Sequence, residues 1–166
     1  MRGMATLDSF DLRILERYQL DTQTPAHAIG AAVGLSTAAV QRRLKRLRAE
    51  GVIEREVAEI SPKAVGLPVT CVVEVNIERE RSADLQRFKR RMAALPEVQQ
   101  CYYVTGETDF ILVVLAADMA AYEAFTRRAL LDDDNVRSFT THVALDRVKT
   151  GVAVAIPSAS GSGENE

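Results

Sequence analysis

Five of the seven residues from Arg42 to Arg48 are lysine or arginine, in a chain of 166 residues whose formal net charge is -2. Local concentration of charge, not the total, sets the field that a polyanion feels. This stretch is therefore the first place to look for phosphate chemistry. Ser36 is a favourable N-cap, and Val40, Leu44 and Leu47 recur at i, i+4 and i+7 as one apolar stripe. At about 100° per residue, Ala38, Gln41, Arg42 and Lys45 fall on the opposite side, with Arg46 beside them and Thr37 near the start. Arg43 lies closer to the stripe, placed for a backbone phosphate or an ion pair. Small side chains at Ala38 and Ala39 let a backbone approach a groove. Gln41 suits an adenine edge and Arg42 a guanine edge, while Lys45 and Arg46 suit phosphate. The candidate DNA-contacting set is Ser36, Thr37, Ala38, Gln41, Arg42, Arg43, Lys45 and Arg46.

Taken alone, a basic run is better explained by a solvated helix face. The elements before it change that balance. Thr24 reads as a cap with Pro25 at the first helical position, and Ala26 to Val33 makes a short helix with Ile29 and Val33 inward. Gly34-Leu35 then supplies a tight turn, for which glycine tolerates a positive φ. Helix, short glycine-containing turn and basic helix form the helix-turn-helix pattern, whose second helix enters the major groove. A helix over Leu7 to Leu20, capped by Asp8 or Ser9 and packed through Phe10, Ile14 and Tyr18, supplies the third. After Gly51, the alternation from Val52 to Ile60 predicts one or two short wing strands. The expected unit is a winged helix-turn-helix over residues 7–60.

With 47% hydrophobic and 27% charged residues, the chain has enough apolar material for two small cores and no run long enough to cross a membrane. Met1 to Ser9 lacks an apolar leader, which predicts a cytoplasmic protein. Cys71 and Cys101 share no metal-like spacing and read as buried free thiols in strands. His27 and His142 are far apart, His27 on a helix surface and His142 in a strand, with no metal-ligand partner in spacing. Asp132-Asp133-Asp134 reads as a solvated turn. No phosphate loop or nucleophile elbow is present, and no cofactor is expected. The segment 151–166 is expected to be a tail, disordered from Ser158 onward.

Residues 61–68, with two prolines and a glycine, form a connector. Beyond it, over residues 69–150, the pattern predicts strand Val69–Ile77, a helix capped by Ser82 and running to Ala94, and strand Val98–Thr105. Strand Phe110–Ala116, helix Met119–Leu131 and strand Val136–Leu145 follow. The order β-α-β-β-α-β is the ferredoxin-like arrangement, so the fold class is α+β. Phe110 to Ala116 is apolar at both parities, and Tyr102-Tyr103-Val104 nearly so. A sheet face that meets water is normally polar. The second face therefore needs a cover, and a second copy of the domain predicts at least a homodimer.

Several segments together are similar to the Lrp/AsnC family, the leucine-responsive and asparagine-type regulators of bacteria and archaea. They are Leu7-Asp8, Asp11 and Ile14-Leu15 in the first helix, then Val33-Gly34-Leu35-Ser36, Val40, Arg43-Leu44, Arg46-Leu47 and Gly51-Val52-Ile53. Ala58, Ser61-Pro62 and Val65-Gly66 resemble the linker, and Gly106-Glu107-Thr108-Asp109 resembles the family's Gly-x-x-Asp turn. The resemblance implies a transcriptional regulator that binds double-stranded DNA, assembles as dimers or octamers, and takes a small-molecule effector, an amino acid, in its C-terminal domain. It implies effector contacts at Gly106 and Asp109, to which position and polarity add Thr108, Thr140 and Thr141. An ordinary β-turn over Gly106–Asp109 explains the same residues. The chain departs from the family at Thr22-Gln23-Thr24 and at Ala28-Ile29-Gly30, where a helical glycine costs roughly 1 kcal/mol relative to alanine. Two alternatives are a tetrapyrrole decarboxylase-like enzyme on a similar fold and an amino-acid-sensing partner protein without DNA binding.

Overall fold

The computed structural model of the chain describes residues 6–157. It divides into two compact units, one made of the chain up to Ala58 with the segment from Thr150, the other spanning Glu59–Lys149. The expected absence of a leader at Met1 to Ala5 and the expected disorder from Ser158 to Glu166 fall outside the described residues.

The first unit contains three helices, α1 (Ser9–Tyr18), α2 (Ala26–Val33) and α3 (Thr37–Ala49). Ile14, Tyr18, Ile29, Val33, Val40 and Leu44 form its core, with Ala26, Leu35 and Ile53 packed at the edge. Phe10 is half-buried. The first helix is shorter than Leu7 to Leu20 because Asp8 caps it, accepting the Asp11 N–H, while the chain turns off after Gln19. Pro25, not Thr24, occupies the N-cap position of α2, and no side chain caps that helix. Gly34 follows at φ 77°. Gly30 is buried, and a Cβ there would meet the Leu35 carbonyl oxygen at 2.5 Å. The α2–α3 turn is wrapped onto Gly30, whose carbonyl accepts both the Gly34 and Leu35 N–H groups at 2.9 Å.

The expected wing strands do not form. Val52 and Ile53 turn back to donate to the Leu47 carbonyl at 2.9 and 3.2 Å, and residues 54–60 carry no ladder and are exposed. Alternation alone does not make a strand where no partner strand is available to accept its N–H groups. At the other end of the chain, the Gln19 side-chain amide holds the Val154 backbone by two hydrogen bonds of 3.0 Å.

The second unit opens with a 3-10 turn, Lys63–Val65, closed by Gly66 at φ 83°. It then runs β1 (Val69–Ile77), α4 (Ser82–Ala94), β2 (Val98–Tyr103), β3 (Phe110–Ala116), α5 (Met119–Thr126) and β4 (Val136–Val143). The sheet is antiparallel in the order β2-β3-β1-β4, the ferredoxin-like order. Cys71, Val73, Val75, Phe110, Leu112 and Val114 pack against Phe88 and Met92 of α4 and Tyr122 and Phe125 of α5. No helix among the described residues is long and apolar enough to cross a membrane.

Several boundaries move for local reasons. Arg81 is the N-cap of α4, so Ser82 is its first residue rather than its cap. The second strand stops at Tyr103, because Val104 already donates to the Asp109 carbonyl across the turn, at 3.0 Å. The last strand stops at Val143, and Leu145 is wholly exposed. The predicted helix Met119–Leu131 widens to a π turn over Arg127–Leu131, with Asp132 donating back to the Arg127 carbonyl. Arg91 meets that turn twice, donating to the Ala129 carbonyl and, at 2.6 Å, to Asp133. The acidic turn is thus not simply solvated, because Asp133 is buried as the partner of Arg91.

Candidate nucleic-acid interface

Ser36 caps α3 by accepting the Ala39 N–H at 3.2 Å. The alternation of burial along α3 follows the stripe read from the sequence: Val40, Leu44 and Leu47 are buried, while Thr37, Ala38, Gln41, Arg42 and Lys45 are exposed. Among the described residues, neither Arg42 nor Lys45 pairs with an acid. The two cations therefore stand free on a solvent face that begins at a helix N-terminus, where unpaired N–H groups also favour phosphate.

The other three cations are engaged. Arg43 donates to Asp8 at 2.7 Å and to Asp11 at 2.8 Å, and its guanidinium lies 5.5 Å from the centre of the Phe10 ring. Arg46 also pairs with Asp11. Arg48 donates to Glu56 and to the Tyr18 hydroxyl, each at 2.8 Å, and Tyr18 donates in turn to Glu56. The Asp11 N–H holds the Asp8 carboxyl below its ordinary value, with Arg43 adding to the effect. Arg48 and then Tyr18 lower Glu56, whereas burial and then the hydrogen bond to Glu56 raise the Tyr18 phenol. Of the eight candidate DNA residues, the structure leaves six on an open face and ties Arg43 and Arg46 to α1. Asp11 escaped the sequence reading as a contributor to this surface. Its signal was an acid three residues after a capping acid, which identifies the helix start but not the arginines of another helix.

In the second unit, the turn Gly106–Asp109 joins β2 to β3 and is pinned to the end of β1. Gly106 has φ 125°, Thr108 Oγ1 donates to the Val75 carbonyl at 3.1 Å, and Asp109 Oδ2 accepts the Ile77 N–H at 2.8 Å. That N–H lies where the β1–β4 register shifts at Asn76/Ile77. The five expected effector residues do not share one face. Thr141 points to the helix side, 2.5 Å from the Tyr122 hydroxyl, whereas Thr140 sits opposite Glu74 on the uncovered side.

That uncovered face is divided. Val72, Ile111, Val113 and Leu115 form an apolar half with Tyr102, which is 52% exposed. Glu74, Asn76, Ser138, Thr140 and His142 form a polar half, in which His142 lies 3.3 Å from Glu74. His27 is exposed on α2. Cys71 is buried and Cys101 half-buried, both unbonded, and burial raises both thiols.

Comparison with known proteins matches both units. The AsnC-type helix-turn-helix domain matches residues 7–48, and the Lrp/AsnC ligand binding domain matches residues 70–154. A helix-turn-helix-type transcriptional regulator of Sinorhizobium fredii is 48% identical over 150 residues, covering 90% of this chain and 89% of that protein. The leucine-responsive regulatory protein of Haemophilus influenzae is 32% identical over 143 residues, covering 86% of each. Among solved structures, an AsnC family transcriptional regulator from Agrobacterium tumefaciens superposes with TM-score 0.84 at 30% identity, over 90% of this chain and 97% of the other. A transcriptional regulator from Neisseria meningitidis, solved as an L-methionine complex, gives 0.84 at 29% identity with the same coverage. These relatives are regulators, not enzymes, and the decarboxylase alternative falls away. The chain belongs to the Lrp/AsnC family of transcriptional regulators, with a DNA-binding helix-turn-helix and a ligand-binding domain.

Proposed function

We propose that α3 enters the major groove through Ser36, Thr37, Ala38, Gln41, Arg42 and Lys45, and that DNA occupancy answers to an amino acid held by the second unit. The observation that carries the first part is the pair of exposed cations, Arg42 and Lys45, unpaired with any acid among the described residues, on the face opposite the buried stripe. Small side chains at Ala38 and Ala39 allow close approach, Gln41 and Arg42 can read base edges, and Lys45 can hold phosphate. The turn Gly106–Asp109 supports the second part. Its backbone amides suit a carboxylate, while Asp109, fixed through Oδ2 on Ile77, has Oδ1 to offer an ammonium. The L-methionine complex of the Neisseria relative makes methionine the first amino acid to try.

A homodimer closed over the apolar half of the sheet brings two recognition helices to two half-sites. An effector acts only if it binds two assembly states with different affinities. The test is titration of a duplex from the region upstream of the chain's own coding sequence. Arg42→Ala with Lys45→Ala should weaken binding by about 100-fold, the loss of one base contact and one phosphate contact. Unchanged affinity removes this face from the interface.

A further inference from the structure

We propose that Asp11 sets the specificity of the DNA-binding head by withholding two arginines of α3 from phosphate while fixing that helix against α1. The inference rests on α3 being the DNA-reading helix. Asp11 is fully buried. A carboxylate removed from water persists as an anion only when paired and hydrogen-bonded. Here Oδ1 accepts from Arg43 at 2.8 Å, and Oδ2 accepts from Arg46 and from the Asp8 N–H, the latter at 3.1 Å. Asp8 returns the bond by accepting the Asp11 N–H at 2.8 Å and takes Arg43 at 2.7 Å. The start of α1 and the middle of α3 are thereby one hydrogen-bonded cluster, with two negative charges set against two positive ones.

This cluster has two consequences for recognition. Non-specific affinity grows with the number of cations that displace counterions from phosphates. Compensating Arg43 and Arg46 in place lowers that number, and Glu56 does the same for Arg48. Specific affinity depends instead on where the base-reading residues sit, and the same bonds hold α3 in place. One buried acid thus lowers binding to random DNA and preserves binding to the operator. It is a positioning residue and need not touch DNA.

The test uses the full chain, an operator duplex and a random duplex, each titrated over a range of salt. Asp11→Asn keeps the side-chain shape and removes the charge. It should steepen the salt slope on random DNA by about 0.9 unit for each head bound, since Asp8 still holds Arg43 and one cation is freed. The ratio of operator to random affinity should fall by about 10-fold. Adding Arg43→Gln and Arg46→Gln to that variant should return the slope to its original value. Equal weakening on both duplexes, an unchanged ratio, or a slope that ignores the added substitutions overturns the proposal. If Asp11→Asn does not fold, Arg46→Gln alone decides: its random-DNA slope should match that of the unaltered chain, and a loss of about one unit overturns the proposal. If the unaltered chain binds neither duplex, it is the α3 reading that has failed.

Discussion

A carboxylate that accepts an N–H and a guanidinium in the folded chain gives up its proton more readily there than in the unfolded chain. Asp8 accepts the Asp11 N–H and Arg43, and Glu56 accepts Arg48 and the Tyr18 hydroxyl; each is lowered, Asp8 chiefly by the Asp11 N–H and Glu56 chiefly by Arg48. The sign follows by linkage: their contribution is complete above the unfolded carboxylate range and is lost as pH falls through the depressed folded values. The head should therefore weaken as pH falls through and below the ordinary carboxylate range of about 4, read as a falling urea midpoint of the helical signal. Asp8→Asn and Glu56→Gln should each flatten that fall, and an identical acid profile would show that these pairs contribute nothing. At this scale the sequence was only partly legible. The stripe of Val40, Leu44 and Leu47 fixed which cations face outward, because burial follows helical period. The partners of Arg43, Arg46 and Arg48 lie on other segments, so spacing along one helix could not reveal them.

Helix propensity and packing disagree at Gly30. Propensity predicts that alanine would strengthen α2 by roughly 1 kcal/mol. The Leu35 carbonyl, 2.5 Å from where the Cβ would lie, is backbone and belongs to the turn that sets α3 on α2. Gly30→Ala should therefore destabilise the head by about 1–3 kcal/mol, seen as a lower melting temperature. A rise would mean that the turn adjusts at little cost. Elements whose residues alternate or recur against a core were readable in advance, including β1 and β3 to the residue. The wing was not, because strand formation needs a partner that alternation does not guarantee. The π turn was equally invisible, since the Arg91 that donates to it lies on α4, 38 residues before Ala129.

At the scale of the molecule, the DNA-binding helix-turn-helix and the ligand-binding domain fall in separate units of the chain. The apolar half of the sheet face, centred on Val113 and Ile111, predicts a dimer or larger at micromolar concentration by sedimentation. Val113→Asp should shift it toward monomer, whereas a monomeric unaltered chain would remove the sheet-on-sheet arrangement. The order of the strands and the two-unit plan followed from hydrophobic pattern, but the polar half of that face, with Glu74 beside His142, did not stand out against the apolar run of β3. Binding of an amino acid should raise the melting temperature of the full chain, methionine being the first candidate, and Asp109→Ala should abolish that rise. The dependence of log affinity on log salt for the operator duplex measures directly which cations of α3 meet phosphate. Arg42→Ala with Lys45→Ala should reduce the slope by about one unit for each head bound, the phosphate contact of Lys45. An unchanged slope would contradict the account, because the free face of α3 would then not lie against the phosphates.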